Sequence, residues 1–335
     1  MAENHLSYDS AARIVNGFDD KHILVIGDVM LDEYVWGSVD RISPEAPVPV
    51  VEARRRSFMP GGAANVAFAL ADLGVKVSLV GGIGGDESGK KLKTILNSKG
   101  VDTTGVFPLQ GRRTTLKTRI IGHNQQIVRI DWEDSHDIED KFVAKICRFV
   151  QKIKHTLHGI VFEDYGKGVI TQNLINRVME LLQGTKIFTT FDPKRGHYLQ
   201  LNGITVATPN HFEAFDAVKK KVSLINEDIE RVGEELRKQW GVQAVLITLG
   251  ENGMSLFEAD KPVYKISTVA REVYDVSGAG DTVIASFTAA LTAGATLREA
   301  AMVSNYAAGI VVGKVGTASV SRQEILDVIP SKRNG

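Results

Sequence analysis

The segment Asp275-Val-Ser-Gly278-Ala279-Gly280-Asp281-Thr-Val-Ile places a run of small residues just before a helical pattern, with a carboxylate where that pattern begins. The amides of Gly278, Ala279 and Gly280 can point together at an anion, because little side-chain bulk blocks the approach. A carboxylate beside such an anion hole opposes passive phosphate binding, since like charges repel. It suits a reaction in which Asp281 takes a proton from a hydroxyl while the amides stabilise the phosphoryl group under attack. Two other readings compete at this motif. One makes Asp281 a plain helix cap; the other sees a partial dinucleotide fingerprint. The second is weakened by Val283 at the third glycine position and by the lack of a following strand that ends in an acid.

Three further constellations bear on the same chemistry. Pro60-Gly61-Gly62-Ala-Ala-Asn65 opens a helical pattern: glycines let backbone lie against a polyhydroxyl ligand, and Asn65 offers both donor and acceptor. A tight turn with Asn65 capping locally is the alternative. Gly27-Asp28-Val-Met-Leu-Asp32 puts two carboxylates at the end of a strand, where they suit sugar hydroxyls; as metal ligands they lack a nearby histidine or third carboxylate. In Thr208-Pro-Asn210-His-Phe-Glu213, Asn210 and Glu213 fall one turn apart on one helix face, so both can face phosphate or the water around Mg²⁺. A capping box is the competing reading there. No Walker A sequence occurs, so a nucleotide site in this chain is not a P-loop.

The elements that must position these residues follow from the apolar patterning. Short β-branched runs at Ile23–Ile26, Val77–Val80, Ile160–Glu163, Ile187–Phe191, Thr205–Ala207 and Ala244–Thr248 alternate with helical segments near 63–73, 87–98, 138–154, 171–182, 210–218 and 226–240. This alternation predicts an α/β fold with a doubly wound, mostly parallel sheet, helices on both faces, and ligands at the carboxyl ends of the strands. Residues 33–58 and 113–131 break the rhythm with extended patterns and no helix, and are expected to form a small β-sheet lid over the ligand end. An edge extension of the main sheet is the alternative. Two small-residue helices, about 279–293 and 297–313, are expected to pack closely in the interior. The whole chain, 1–335, reads as a single domain plus its lid.

Composition narrows the function classes. The 335 residues are 43% hydrophobic and 24% charged, and 40 Lys and Arg balance 40 Asp and Glu. Bulk charge therefore supplies no attraction to nucleic acid or an anionic membrane. The single cysteine, Cys147, excludes an intrachain disulfide and a multi-thiolate metal site, and its helical setting reads as a buried thiol. The first 22 residues lack a secretory pattern and no run reaches the roughly 18 apolar residues of a membrane span, so a cytoplasmic location is expected.

Taken together, GGAAN at 61–65, NHFE at 210–213 and DVSGAGD at 275–281 resemble the signatures of the ribokinase-like (phosphofructokinase-B type) carbohydrate kinases, in order and spacing over roughly residues 20–325. The resemblance implies a ribokinase-like fold, Asp281 as catalytic base, and Asn210 and Glu213 serving Mg²⁺ and the phosphates of ATP. Gly27–Asp32, Arg41–Pro49, Asn124-Gln-Gln126 with Arg129, Asp164-Tyr-Gly-Lys167-Gly and Glu272–Asp275 are similar to the heptose 7-phosphate kinases of lipopolysaccharide-core precursor synthesis. These phosphorylate the anomeric oxygen of D-glycero-β-D-manno-heptose 7-phosphate. They are often fused to a nucleotidyltransferase with an H-x-G-H motif, which this sequence does not contain. Glu163 and Gly166 depart from the pattern, standing where Ser and Ala are expected.

A substrate that already carries phosphate needs cations far from Asp281: Lys167 is the first candidate, with Arg41 and Arg129 of the lid next. Solvent-exposed lid charges are the alternative for the two arginines. For the nucleotide, Lys194 can neutralise phosphate, Thr248 and Gly250 are expected beside ribose and phosphates, and Asn305 and Gly309 where the family places adenine. Plain packing is the alternative for each. The loop Gly313–Thr317 is a candidate for a monovalent cation, as in some family members. The apolar lid strand Val48–Val51 leads to the expectation of a homodimer formed through the lids.

Overall fold

The computed structural model of the protein describes residues 6–123, 125–270, 276, 278–314 and 318–330. Asn124, the segment Glu272–Asp275 and most of the 313–317 loop lie outside the described residues.

The chain alternates strands and helices around one large sheet. In chain order the strands are β1 (His22–Gly27), β2 (Val29–Ile42), β3 (Pro49–Gly62), β4 (Lys76–Ile83), β5 (Asp102–Pro108), β6 (Thr115–Gly122), β7 (Gln125–Trp132), β8 (Gly159–Glu163), β9 (Phe188–Asp192), β10 (Val206–Ala207), β11 (Ala244–Thr248), β12 (Met254–Glu258) and β13 (Tyr264–Ile266). The helices are α1 (Tyr8–Asn16), α2 (Ala63–Asp72), α3 (Glu87–Ser98), α4 (Asp140–Ile153), α5 (Gln172–Leu181), α6 (His211–Ala217), α7 (Asn226–Trp240), α8 (Ala279–Thr292), α9 (Leu297–Val312) and α10 (Arg322–Val328). The large sheet runs β13-β12-β11-β10-β9-β8-β1-β4-β5 and is parallel except for its β11–β12–β13 edge.

Strand alternation feeds two cores. On β1, Ile23 and Val25 face the side covered by α1, α2, α8 and α9, while Leu24 and Ile26 face α4, α5, α6 and α7. The residues of β1 and β8 are all buried, as expected for parallel strands covered on both faces. Helix α8 is buried on all sides from Asp281 to Thr292. Its hydroxyls are satisfied locally: Ser286 Oγ donates to Thr282 O (2.6 Å) and Thr288 Oγ1 to Ile284 O (2.7 Å). Its small residues let α9 pack against it along its length.

A second, four-stranded sheet has the order β3-β2-β6-β7. It starts earlier than the expected residue 33, because only Asp28 separates β1 from β2 and the strand crosses directly from one sheet to the other. β2 pairs antiparallel with β3 and parallel with β6. The root of β3 runs straight into α2, so the glycines at 61 and 62 lie where the two sheets meet.

Candidate active site

Asp281 sits in the first turn of α8 and is only 5% exposed. Two side chains from distant parts of the chain fix its carboxylate. Asn65 Nδ2, in the first turn of α2, donates to Oδ2 at 2.6 Å, and the Tyr165 hydroxyl donates to Oδ1 at 3.0 Å. Burial raises the Asp281 pKa, while these two hydrogen bonds favour the charged form and oppose the rise. A raised pKa moves a carboxylate towards the strength a base needs near neutral pH. Tyr165 is itself pushed well above the usual phenol range by burial and by Asp281, so it stays a donor.

The turn ahead of α8 needs glycine at 278. Gly278 has φ +79°, and a Cβ there would lie 3.0 Å from Asn65 Nδ2. Of the three amides expected to face an anion, that of Ala279 donates to Val276 O (3.2 Å). The first donor with an i−4 partner in α8 is Thr282, which bonds Gly278 O at 3.0 Å, so the amides of Gly280 and Asp281 precede the helical ladder. Gly280 has open space on its side-chain side.

Asp281, Gly278 and Gly280 line a cavity of about 230 Å³ together with Asp164, Tyr165, Asp192, Lys194, Asn210, Glu213 and Thr248. The β8, β9, β10 and β11 carboxyl ends thus meet at one hollow, as the topology requires. Asn210 and Glu213 do form a capping box at the start of α6: Glu213 N donates to Asn210 Oδ1 (3.0 Å) and Asn210 N to Glu213 Oε2 (2.9 Å). Both remain on the cavity wall. Burial pushes the Glu213 pKa up to about 7, against the pull of Asn210 and Lys194. Lys194 Nζ lies 5.5 Å from the centre of the Tyr165 ring. Thr248 donates its amide to Pro209 O, pinning the α6 start to β11, and Gly250 (φ +60°) opens the short 3-10 turn that follows.

Asn305 and Gly309, on α9, hold the segment that follows β13 and do not line this cavity. Asn305 Nδ2 donates to Ser267 O at 2.8 Å, and Gly309 admits the same segment, since a Cβ there would meet Val269 Cγ2 at 2.7 Å.

On the other side of Asp281, Asp32 is buried beside Gly61, whose missing Cβ would lie 2.6 Å from Asp32 Oδ2. Arg119 Nη1 binds Asp32 Oδ1 at 2.5 Å. Burial raises the Asp32 pKa and Arg119 opposes the rise. Asp28 points away from this pocket. Its carboxylate accepts the amides of Tyr165 (3.0 Å), Lys167 (2.9 Å) and Val169 (2.9 Å), so it moulds the loop after β8. Gly62, with φ +56°, lies over Asp28 O at the α2 start. Arg112 tethers the same loop, donating to Lys167 O, Asp134 O and His136 O. Asp164 accepts from Gly166 N (2.8 Å) and pairs with His197 (2.6 Å), whose pKa it raises.

The cations divide between near and far. Lys167 Nζ contacts Glu133 Oε1 (2.7 Å), and Lys117 bridges Glu133 (3.3 Å) and Asp131 (3.0 Å). Arg129, half-exposed on β7, grips Asp131 at 2.8 Å and lies opposite Arg119. Lys117, Arg119, Arg129 and Lys167 therefore share Asp32, Asp131 and Glu133 in one network. Arg41 is not part of it: it is exposed near the outer end of β2, nine residues and about 30 Å of strand from Asp32. Tyr165, Lys117, Arg119, Glu133 and the Glu163–Asp192 pair were not singled out from sequence. The two-residue spacing of Lys117 and Arg119 on one strand face was the available signal for that pair.

Glu163 and Asp192 end adjacent parallel strands and are register partners. One oxygen of each lies within 4.8 Å of the other and of an Asp281 oxygen. Glu163 is fully buried, and neither of its oxygens accepts a hydrogen bond among the described residues. Burial first pushes both carboxyls well above their usual range; the charges of Asp192 and Asp281 add to the rise at Glu163, and those of Glu213 and Asp281 at Asp192, where Thr208 and Glu163 oppose it by hydrogen bonding.

The model of the pfkB family carbohydrate kinases matches residues 20–324. Curated relatives named bifunctional protein HldE include that of Desulfatibacillum aliphaticivorans, 43% identical over 327 residues (96% of this chain, 65% of the relative). That of Geotalea uraniireducens is 46% identical over 303 residues (90% and 62%). The chain thus spans less than two thirds of the length of these relatives. Among solved structures, Arabidopsis thaliana ribokinase complexed with ribose and ATP superposes with TM-score 0.72 at 21% identity, covering 92% of this chain and 98% of that one. Escherichia coli phosphofructokinase-2 gives 0.73 at 17%, with the same coverage. These two likenesses establish the ribokinase-like fold.

Proposed function

The chain belongs to the pfkB family of carbohydrate kinases, and from that premise we propose that it transfers the γ-phosphoryl group of ATP to the anomeric hydroxyl of D-glycero-β-D-manno-heptose 7-phosphate, as a step towards ADP-heptose and the lipopolysaccharide core. The observation that carries the reading is the buried Asp281 carboxylate, held by Asn65 and Tyr165 at the mouth of α8, beside amides that precede the helical ladder. The relatives' name supports the acceptor, as do four cations, Lys117, Arg119, Arg129 and Lys167, gathered outside the lining of the cavity that holds Lys194 and Glu213.

In this mechanism the sugar lies between Gly61, Asn65 and Asp32, with its 7-phosphate among Lys167, Lys117, Arg119 and Arg129. Those cations, now held by Asp32, Asp131 and Glu133, exchange these carboxylates for the phosphate. Asp281 takes the anomeric proton as that oxygen attacks the γ-phosphorus in line, and the amides at the α8 start stabilise the phosphoryl oxygens. ATP extends over Lys194, Thr248 and Gly250, with its base by Asn305 and Gly309. Glu213 and Asn210 would hold Mg²⁺ through water, supplying charge neutralisation of the ATP phosphates; Glu213, which keeps one oxygen clear of the capping bond, fits that role. The second sheet acts as a lid that excludes water as a competing acceptor.

The lid also supports a homodimer. Ile127, Val128, Ile130 and Trp132 of β7 are 40–50% exposed, with Ile42 and Val48 beyond them at 61% and 51%, an apolar surface that a second lid would cover. Sedimentation at micromolar concentration checks this: a dimer is expected, and a monomer contradicts it.

The acceptor is tested by ADP release with Mg-ATP and heptose 7-phosphate, unphosphorylated heptose, fructose 6-phosphate, ribose or adenosine. Turnover confined to heptose 7-phosphate is expected; preference for another member overturns the acceptor and keeps the kinase. No described helix is long and apolar enough to cross a membrane.

A further inference from the structure

Behind the cavity wall lie more carboxyl groups than a single general base requires. Glu163 and Asp192 leave neighbouring parallel strands at the same register and project to the face covered by α8, on the same side as Thr190, whose hydroxyl lies 2.7 Å from that of Thr288. Asp281, in the first turn of α8, completes a group of three carboxylates within 4.8 Å of one another. Asp281 spends its oxygens on Asn65 and Tyr165, and Asp192 has Thr208 Oγ1 at 2.8 Å. Glu163 has nothing comparable: no described N–H or hydroxyl reaches either oxygen, and what faces it is the Asp192 carboxyl. An acid taken wholly out of water is stable only when something positive or a proton replaces its hydration. Glu163 is also one of the two positions, with Gly166, at which the sequence departs from the heptose kinase pattern.

We infer that Glu163 and Asp192, with Asp281 on the third side, form a direct site for a hard divalent cation, distinct from the water-mediated role of Asn210 and Glu213. The three oxygens lie within 4.8 Å of one another, close enough for one ion to draw them into its ligand shell by small side-chain movements. All-carboxylate ligands select Mg²⁺, Mn²⁺ or Ca²⁺ over softer metals. The ion balances the charge of Glu163 and Asp192, while Asp281 faces it across the cluster and keeps its bonds to Asn65 and Tyr165. The site is complete without nucleotide or sugar, so it loads before either substrate binds.

The test uses the full chain in the absence of ATP and sugar, with Mn²⁺ as probe, free Mn²⁺ being read by its electron paramagnetic resonance signal. One Mn²⁺ per chain, displaced by Mg²⁺, is expected. Glu163→Gln and Asp192→Asn each weaken it at least tenfold, while Glu213→Gln changes it less than threefold. Thermal melting serves as the folding control: Mg²⁺ raises the wild-type midpoint, and Glu163→Gln raises the midpoint in chelator while abolishing the response to Mg²⁺. Absence of nucleotide-free Mn²⁺ binding in the wild type, or Glu163→Gln binding as tightly as wild type, overturns the site. Because no substrate is present, either result leaves the kinase reading standing.

Discussion

The side-chain amide of Asn65 and Oδ2 of Asp281, 216 residues apart in the chain, meet at 2.6 Å where α2 and α8 begin. One contact thus joins the sugar side of the cavity to its base. Because the bond favours the charged carboxylate, Asn65→Ala should raise the Asp281 pKa. The acid limb of the kcat/KM profile should move to higher pH, and turnover at neutral pH should fall about tenfold or more through lost orientation. An unmoved limb would show that Asn65 does not tune the base.

Asp281→Asn should remove the base while preserving the shape of the turn. Turnover should fall by about 10²–10⁴ and ATP affinity should stay near wild type. Steady-state kinetics with calorimetric ATP titration separate the two; more than about a tenth of wild-type turnover would contradict general-base help.

Lys167 tests the phosphate end. Its loop is held by the Asp28 carboxylate and by Arg112 through backbone contacts, so Lys167→Ala should leave the loop in place and remove only the ammonium. KM for the sugar phosphate should rise about tenfold or more, the worth of one charged hydrogen bond, with kcat nearly unchanged. An unchanged KM would remove Lys167 from the phosphate site.

These three residues also mark where the sequence was informative. Asp281 and Asn65 announce themselves through adjacent glycines, and the helices near 63–73, 87–98 and 226–240 follow from their apolar period. The second sheet was visible as an interruption of the α/β rhythm. The edge strands β12 and β13 and the end helices α1 and α10 were not singled out, being short or peripheral. What could not be read was which charges meet. The Arg119–Asp32 pair, Tyr165 on Asp281 and the Glu163–Asp192 register depend on strand order, which brings together residues far apart in the chain. Asp28 reads as a ligand for sugar by its position and is turned to backbone by the loop it caps.

The opposite end of the sheet supplies a stability prediction. His22 is buried between Thr156 Oγ1 (2.9 Å) and Ser78 Oγ (3.0 Å), and burial lowers its pKa from 6.5 to about 4. The folded protein keeps His22 neutral where the unfolded chain binds a proton. Its contribution is therefore full above pH 6.5 and is lost as pH falls towards 4, by up to about 3 kcal/mol. Urea unfolding at pH 7.5, 6 and 5 should show the decline, and His22→Gln should flatten this part of it. Equal slopes in the two proteins would exclude His22 as the cause.

The most direct test of the central claim is the position of the new phosphate. Wild-type protein, Mg-ATP and D-glycero-β-D-manno-heptose 7-phosphate should give a product whose second phosphorus couples to the anomeric proton in ³¹P–¹H correlation spectra. Coupling to any other ring proton, or formation of ADP with no new sugar phosphorus, would contradict it.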